Sequence, residues 1–306
     1  MKIAGNNCKP SHPAGRAQPH RALVWAAILW LGLALAAAAE LPASPVSYQH
    51  IVRRSPNFSI HVVTIDLADP RVTVRVAPGG PAATNGPAWV TTLLPPSEIA
   101  AREHFDTAIN GDFFAAIATK DIEGRKTGYV RGKPAFPIGP AMTDGRLWHQ
   151  AELGRPYLEI TTDHHAKIMA GQPGNALETT AREVIGGGQI IVSDGQAVAF
   201  TNTFATARHP RTVVGVDRSG LRLTLFVVDG RQPELSIGMT LAELSREMVA
   251  LGCDRALNLD GGGSTELVWR MPDTGRLQVL NSPSDSKERS VADVLGVTFE
   301  TPPAGK

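Results

Sequence analysis

Residues 212–230 read TVVGVDRSGLRLTLFVVDG. Two apolar runs flank the three-residue turn Arg218-Ser219-Gly220, and Asp229-Gly230 closes the second run. Runs rich in β-branched residues around so short a turn predict a β-hairpin. Upstream, SIHVVTIDL at 59–67 and RVTVRVAP at 71–78 alternate apolar and polar residues, as half-buried strands do. PSEIAAREH from Pro96 starts like a short helix, and TAINGDFF at 107–114 reads as a strand that delivers a polar loop. Downstream, Thr240 and Glu243 form a capping box ahead of a helix. Leu241, Leu244, Met248 and Leu251 mark its buried face, and Gly252 stops it. QIIVS at 189–193, ALNLD, ELVW and VADVLGVTF are further strands. The stretch 115–185, rich in Gly, Pro and Thr, is expected to form loops and irregular strands. The pattern predicts one domain over about 46–300, of mixed α/β (α+β) class, with a mixed, largely antiparallel sheet and a few helices.

The first 39 of the 306 residues read differently. Lys2, Lys9, Arg16 and Arg21 precede an uncharged run from Ala22 to Ala39 that ends in small residues. That order predicts a secretory signal peptide cleaved before Glu40, and a membrane anchor if it is retained. The rest of the chain is then exported, to the periplasm or the extracellular space. Without the four leader cations, 26 basic residues stand against 29 acidic ones, which argues against a nucleic-acid partner. Only Cys253 remains beside Cys8 of the leader, so no internal disulfide forms. The remaining 267 residues are enough to bury a core without one.

Four polar stretches interrupt the apolar pattern. NLDGGGST at 258–265 places Asp260 at a strand end, followed by Gly261, Gly262 and Gly263 and the hydroxyls of Ser264 and Thr265. Glycine amides in such a turn can form an anion-binding concavity. AINGDFF presents Asn110 and Asp112, though Asn-Gly alone is a common turn. RHPRT places Arg208, His209 and Arg211 before the hairpin, and Arg231 follows it. Arginine forks suit phosphate oxygens, although solvated cations also gather at strand ends. NSPSDSKERSV at 281–291 crowds Asn281, Ser284, Asp285, Glu288 and Arg289 ahead of the last strand. Zinc spacings, a GxSxG elbow and a dinucleotide fingerprint are absent.

In order, AINGDFF, VIGGGQIIVSDGQ, RHPRTVVGVD, LFVVDGRQPELSIGMTLAEL, MVALGCDRALNLDGGGSTELV and NSPSDSKERSVADVLGV resemble the phosphodiester glycosidase family over about 107–299. The resemblance implies a mixed α/β domain that hydrolyses a sugar-1-phosphodiester at the glycosidic bond, with a carbohydrate phosphodiester as its partner. Carried over position by position, it implies site residues Asn110, Asp112, Arg211, Asp260, Gly262, Ser264, Thr265 and Arg289. Asp260, Asp112 and Asn110 are the expected catalytic group. Arg211, the three glycines, Ser264, Thr265, Glu288 and Arg289 are expected to hold phosphate. Asp112 stands where a small residue is usual, and Glu266 where a hydroxyl or apolar residue is common. Ser286 and Ser290 replace a usual glycine and proline. No resident cofactor is expected. A metal-dependent phosphodiesterase with Asp112, Asp260 and Asp229 around a divalent ion, and a non-catalytic glycan-binding protein, are the competing readings.

Overall fold

The computed structural model describes residues 44–82, 89–117, 128–151, 154–172, 177 and 180–299. The leader therefore lies outside the described residues. The strands form one seven-stranded sheet, two of five strands and one of three, and all the pairings between these strands are antiparallel. Described helices are few: Pro96–Arg102, Thr203–Thr206, Leu241–Ala250 and the 3-10 turn Gly262–Ser264. The expected largely antiparallel pairing and few helices are found, and the mixed α/β class is corrected to a sheet-dominated one.

The hairpin pairs Arg211–Val216 with Arg222–Val228 at the centre of the seven-stranded sheet. Its runs are largely apolar because both faces are covered. Val214, Val216, Leu223, Leu225 and Val227 face one core, which also takes Ile109, Leu267 and Leu295 from a five-stranded sheet. Val213, Phe226 and Val228 face the other core, under the Leu241–Ala250 helix. The Thr240–Glu243 capping box forms, Leu241, Leu244 and Met248 are buried, and Gly252 takes a φ of 79°. A Cβ on Gly215 would collide with Cys253 Sγ and Met248 Cε, so the helix end rests directly on the strand. Cys253 is thus a buried packing residue.

The second five-stranded sheet occupies the stretch expected to be irregular, with strands Ala141–Thr143, Arg146–His149, Tyr157–Thr161, Ala166–Met169 and Ala181–Gly186. These strands are short, and acids interrupt their apolar pattern. Glu159 and Glu183 are both buried. The Glu183 carboxylate accepts from Val76 N–H and Asp144 N–H, each at 2.8 Å, and so stitches this sheet to the Val72–Pro78 strand of the other. A buried acid held by backbone donors breaks the alternation that a sequence reading relies on.

Candidate active site

Asp260 leaves the Arg255–Asn258 strand at the same sheet end where Arg211 begins the hairpin and Asp229 follows it. Its backbone N–H donates to Gly111 O at 3.1 Å, which joins the NLDGGGST loop to the AINGDFF loop. Asn110 completes the join. Its Nδ2 donates to Asp260 O at 2.8 Å, while Oδ1 accepts from Thr212 Oγ1 at 2.7 Å and Glu266 N at 3.1 Å. Asn110 is fully buried and so committed. Its expected catalytic role is corrected to that of a positioning residue.

Asp260 is half-buried, and its Oδ1 accepts from Gly261 N at 2.8 Å. Burial pushes its carboxyl up to about 6, against a hydrogen bond from Ser264 and the charges of Arg289 and Arg231. Asp112 is buried, and its two oxygens accept from Phe113 N–H and Gly139 N–H. Burial pushes it to about 7, with the backbone donors and Arg155 opposing the shift and Asp260 adding to it. Behind it Asp293, also buried, accepts from Asp112 N–H at 2.9 Å and stands well above the usual carboxylate range, through burial and then the charge of Asp112. Asp293 was missed in the sequence. An acid inside the apolar run VADVLGV was the available signal.

The three glycines do something other than expected. Gly261 N–H is held by Asp260, and Gly262 N–H donates to Pro210 O at 2.9 Å. Two of the three amides are therefore already committed, and the expected concavity of exposed amides is corrected. What the glycines supply is space. Gly262, at φ 62°, leaves room for Arg231, whose Nη2 would lie 2.9 Å from a Cβ there. A Cβ on Gly263 would collide with Arg289 Nη2 and Asp285 Oδ2. Two guanidinium groups thus close over the loop that carries Asp260.

Arg289 is oriented by Asp285, to which Nε donates at 3.0 Å and Nη2 at 2.6 Å, and its guanidinium lies 4.8 Å from the Tyr129 ring centre. It also reaches Ser264 Oγ at 3.5 Å. Arg231 is exposed and contacts His209 Nδ1 at 3.3 Å. Arg211 behaves differently. It is buried, donates to Met239 O, Phe204 O and Ala207 O at 2.8–3.2 Å, and stacks 4.4 Å over the Phe204 ring centre. Burial, helped by Arg231, lowers it to about 10. Arg211 braces the loop before the hairpin, and Arg231 takes the exposed position expected of it.

Glu288 also turns away. Its Oε2 accepts from Ser97 Oγ at 2.6 Å, and its charge acts on Glu266. Glu266 is buried and pushed to about 10 by burial, then by the charge of Glu288. In place of the expected phosphate contact, Glu288 holds the Ser97 hydroxyl and lies near the buried acid Glu266. Ser264 and Thr265 are buried, and Thr265 Oγ1 has no partner among the described residues. Ser286 holds a φ of 60°, a left-handed conformation at the position where the family resemblance has glycine.

Asp229 does not join Asp112 and Asp260. It accepts from Asn281 Nδ2 at 3.2 Å and Ser282 N at 2.8 Å, and lies 3.5 Å from His61 Nε2. Among the described residues, no group of three or more His, Cys, Asp or Glu side chains is placed to hold a metal ion.

A cavity of about 640 Å³ lies at the opposite end of the hairpin, lined by Asp163, His165, Asp217, Arg218 and Asp254 among others. Its charges pair locally: Arg218 Nε donates to Asp254 at 3.1 Å, and Asp163 lies 3.2 Å from His165 Nδ1. Size alone does not make it the reactive centre.

The family profile of phosphodiester glycosidase matches residues 104–298. The chain belongs to that family. A prophage-derived protein of Bacillus subtilis is 34% identical over 92 residues, which cover 30% of this chain and 13% of that protein. The catalytic domain of zebrafish N-acetylglucosamine-1-phosphodiester alpha-N-acetylglucosaminidase, auto-inhibited by its pro-peptide, shares the fold at a TM-score of 0.59 and 21% identity, over 86% of this chain and 85% of that one. A Burkholderia pseudomallei protein described as exported matches at 0.60 and 17% identity, over 79% and 74% of the two chains. A Synechocystis protein matches at 0.56 and 17% identity, over 86% of this chain and 65% of its own length. The chain thus spans about an eighth of the Bacillus relative and just under two thirds of the Synechocystis one.

Proposed function

We propose that this protein is an exported hydrolase that cleaves the glycosidic bond of a sugar-1-phosphodiester on an envelope or extracellular glycan. The observation that carries the reading is the half-buried Asp260 under the charges of Arg231 and Arg289, each seated against a glycine of its loop. The family membership and the activity named for the zebrafish domain support it.

Arg231 and Arg289 hold the phosphate oxygens, since planar guanidinium forks match them. The anomeric carbon then faces Asp260. As the bond from that carbon to the phosphate oxygen lengthens, positive charge develops on the sugar, and ionised Asp260 stabilises it or attacks it. The phosphate monoester departs with the bonding electrons and needs little protonation. One reacting carboxylate therefore suffices where ordinary glycosidases employ two. Water supplies the new oxygen on the sugar. Asp112 and Asp293 stand behind as buried, proton-retaining acids that limit the negative charge around Asp260.

Hydrolysis of a sugar-1-phosphodiester in oxygen-18 water tests the reading. Label on the released sugar is expected, and label on phosphate overturns it. Export is tested separately by intact-mass measurement on protein from the cell envelope, where a mature N-terminus near Glu40 is expected. A retained leader would replace export by anchoring.

A further inference from the structure

The cations that act on Asp260 and Asp112 form two groups. Arg231 and Arg289 belong to the glycine loop and answer to the phosphate. Arg155 belongs to neither loop and stands by Asp112. Its guanidinium carbon lies 5.7 Å from the centre of the Phe113 ring, and its charge is felt by the Asp112 carboxyl. It forms no direct pair with Asp112, whose oxygens are held by Phe113 N–H and Gly139 N–H. Arg155 Nε is buried and has no hydrogen-bond partner among the described residues. Arg211 and Arg270 are the contrast. Arg211 donates to three backbone carbonyls, and Arg270 to Asp106, Gly275 and Phe105.

A second unsatisfied atom sits at the same corner. Asn258 Oδ1 is buried without a partner, while Nδ2 donates to Gln189 Oε1 at 3.3 Å. Gly188 ties it to the aromatic ring: a Cβ there would lie 2.8 Å from Phe113 Cε2 and 3.4 Å from Asn258 Nδ2. A charged donor and a neutral acceptor, both buried and unsatisfied, thus flank one aromatic ring. Buried polar atoms without partners are rare in folded proteins and call for a ligand or water. An aromatic face suits a sugar ring, an acceptor suits its hydroxyl, and a guanidinium fork suits an anion.

We propose that Arg155, Phe113 and Asn258 form the glycone side of the site, and that the sugar they receive carries an anionic substituent of its own. This rests on the sugar-phosphodiester reading above, and it names the substrate class as a phosphodiester of an acidic sugar. Phosphate lies toward Arg231 and Arg289, the reacting carbon at Asp260, and the second anion at Arg155. A carboxylate and a second phosphate share that chemistry, and the probes below separate them.

Titration calorimetry on the full chain with glucose 1-phosphate, glucuronic acid 1-phosphate and glucose 1,6-bisphosphate tests this. At least one of the two acidic ligands is expected to bind about tenfold or more tighter than glucose 1-phosphate, in line with a hydrogen bond to a charged group. Whichever acid is preferred identifies the substituent as carboxylate or phosphate. Arg155→Leu is expected to collapse that ratio toward one, and Arg155→Lys to keep part of it. Equal binding of all three ligands to the native protein overturns the acidic-sugar inference and leaves the proposed hydrolysis standing. An equal loss for all three in Arg155→Leu, with the ratio kept, makes Arg155 a counter-charge to Asp112 and also overturns it. Binding of none, together with no turnover of any sugar-1-phosphodiester, removes both readings.

Discussion

At the turn end of the central sheet, acids have partners of their own. Asp69 is held down at about 2 by the Arg71 side chain, and Asp163 is lowered first by the Thr161 hydroxyl. Asp217 is lowered too: burial acts against it, but the Ser219 hydroxyl and Arg222 N–H outweigh that. At the other end, Asp112, Asp260 and Asp293 are all raised, with burial the largest cause in each. The same residue type thus serves as a turn stabiliser at one end and as a proton-retaining group at the other. Solvent and local donors account for the difference. Perturbation that local pairing does not relieve marks a reactive centre better than the size of a cavity does.

The largest test of that contrast is a pair of matched substitutions. Asp260→Asn is expected to lower kcat by about a thousandfold or more while changing ligand affinity little, because the charge it answers develops only in the transition state. Asp217→Asn is expected to leave kcat unchanged. Steady-state kinetics on both variants decides, and equal losses would dissolve the distinction between the two ends.

A second test separates two arginines at the reactive end. Arg231→Ala is expected to lower kcat/KM by about ten- to a hundredfold with little change in Tm, as loss of a charged hydrogen bond to phosphate would. Arg211→Ala should instead destabilise the fold by roughly 2–4 kcal/mol, since it strips buried carbonyls of their donor and leaves a cavity. Thermal denaturation beside the assay sorts them. A stable but inactive Arg211→Ala would return that residue to the phosphate.

The pH dependence sharpens the comparison further. If Asp260 works ionised, kcat/KM rises with pH through about 6. Stability responds in opposite senses at the two ends. Acids raised in the folded state bind more protons there than in the unfolded chain, so the reactive end loses stability between about pH 4 and 7 as they ionise. The lowered acids of the turn end contribute stability above their unfolded values, and it is lost as pH falls toward about 2. The smallest effect is expected at Glu266. Glu266→Gln keeps a donor for Glu288 and removes the cost of holding a proton that the unfolded chain releases above its ordinary carboxylate range, so Tm should rise by a few degrees at pH 8 and stay level at pH 5. An unchanged Tm at both would mean that the pair relaxes apart.

Much of the strand framework was legible because apolar runs end in turn residues. The 211–216 and 222–228 hairpin, the 241–250 helix with its cap and the last strand follow from pattern alone. The second five-stranded sheet was hidden because Glu159 and Glu183 are buried on its strands. At the site, Asp260 and Arg289 could be found from spacing and resemblance. What could not be read was which way a side chain turns. Arg211 and Arg231 are alike in sequence, yet backbone carbonyls claim the first. Arg155 lies in the stretch without clear pattern, so its place beside Phe113 exists only in three dimensions.

The register of the sheets sets an order of events. Phe58–Asp66 pairs with Arg222–Val228, and Val72–Pro78 pairs with Asp293–Phe299, the last described strand. Early strands must wait for partners made much later, and contacts so distant along the chain form slowly. During synthesis Val46–Arg53 and Phe58–Asp66 can pair with each other at once, but Val72–Pro78, whose neighbour in its sheet is Asp293–Phe299, emerges long before it can pair. Until residues 293–299 have been made, that strand is an open edge on which another chain could pair.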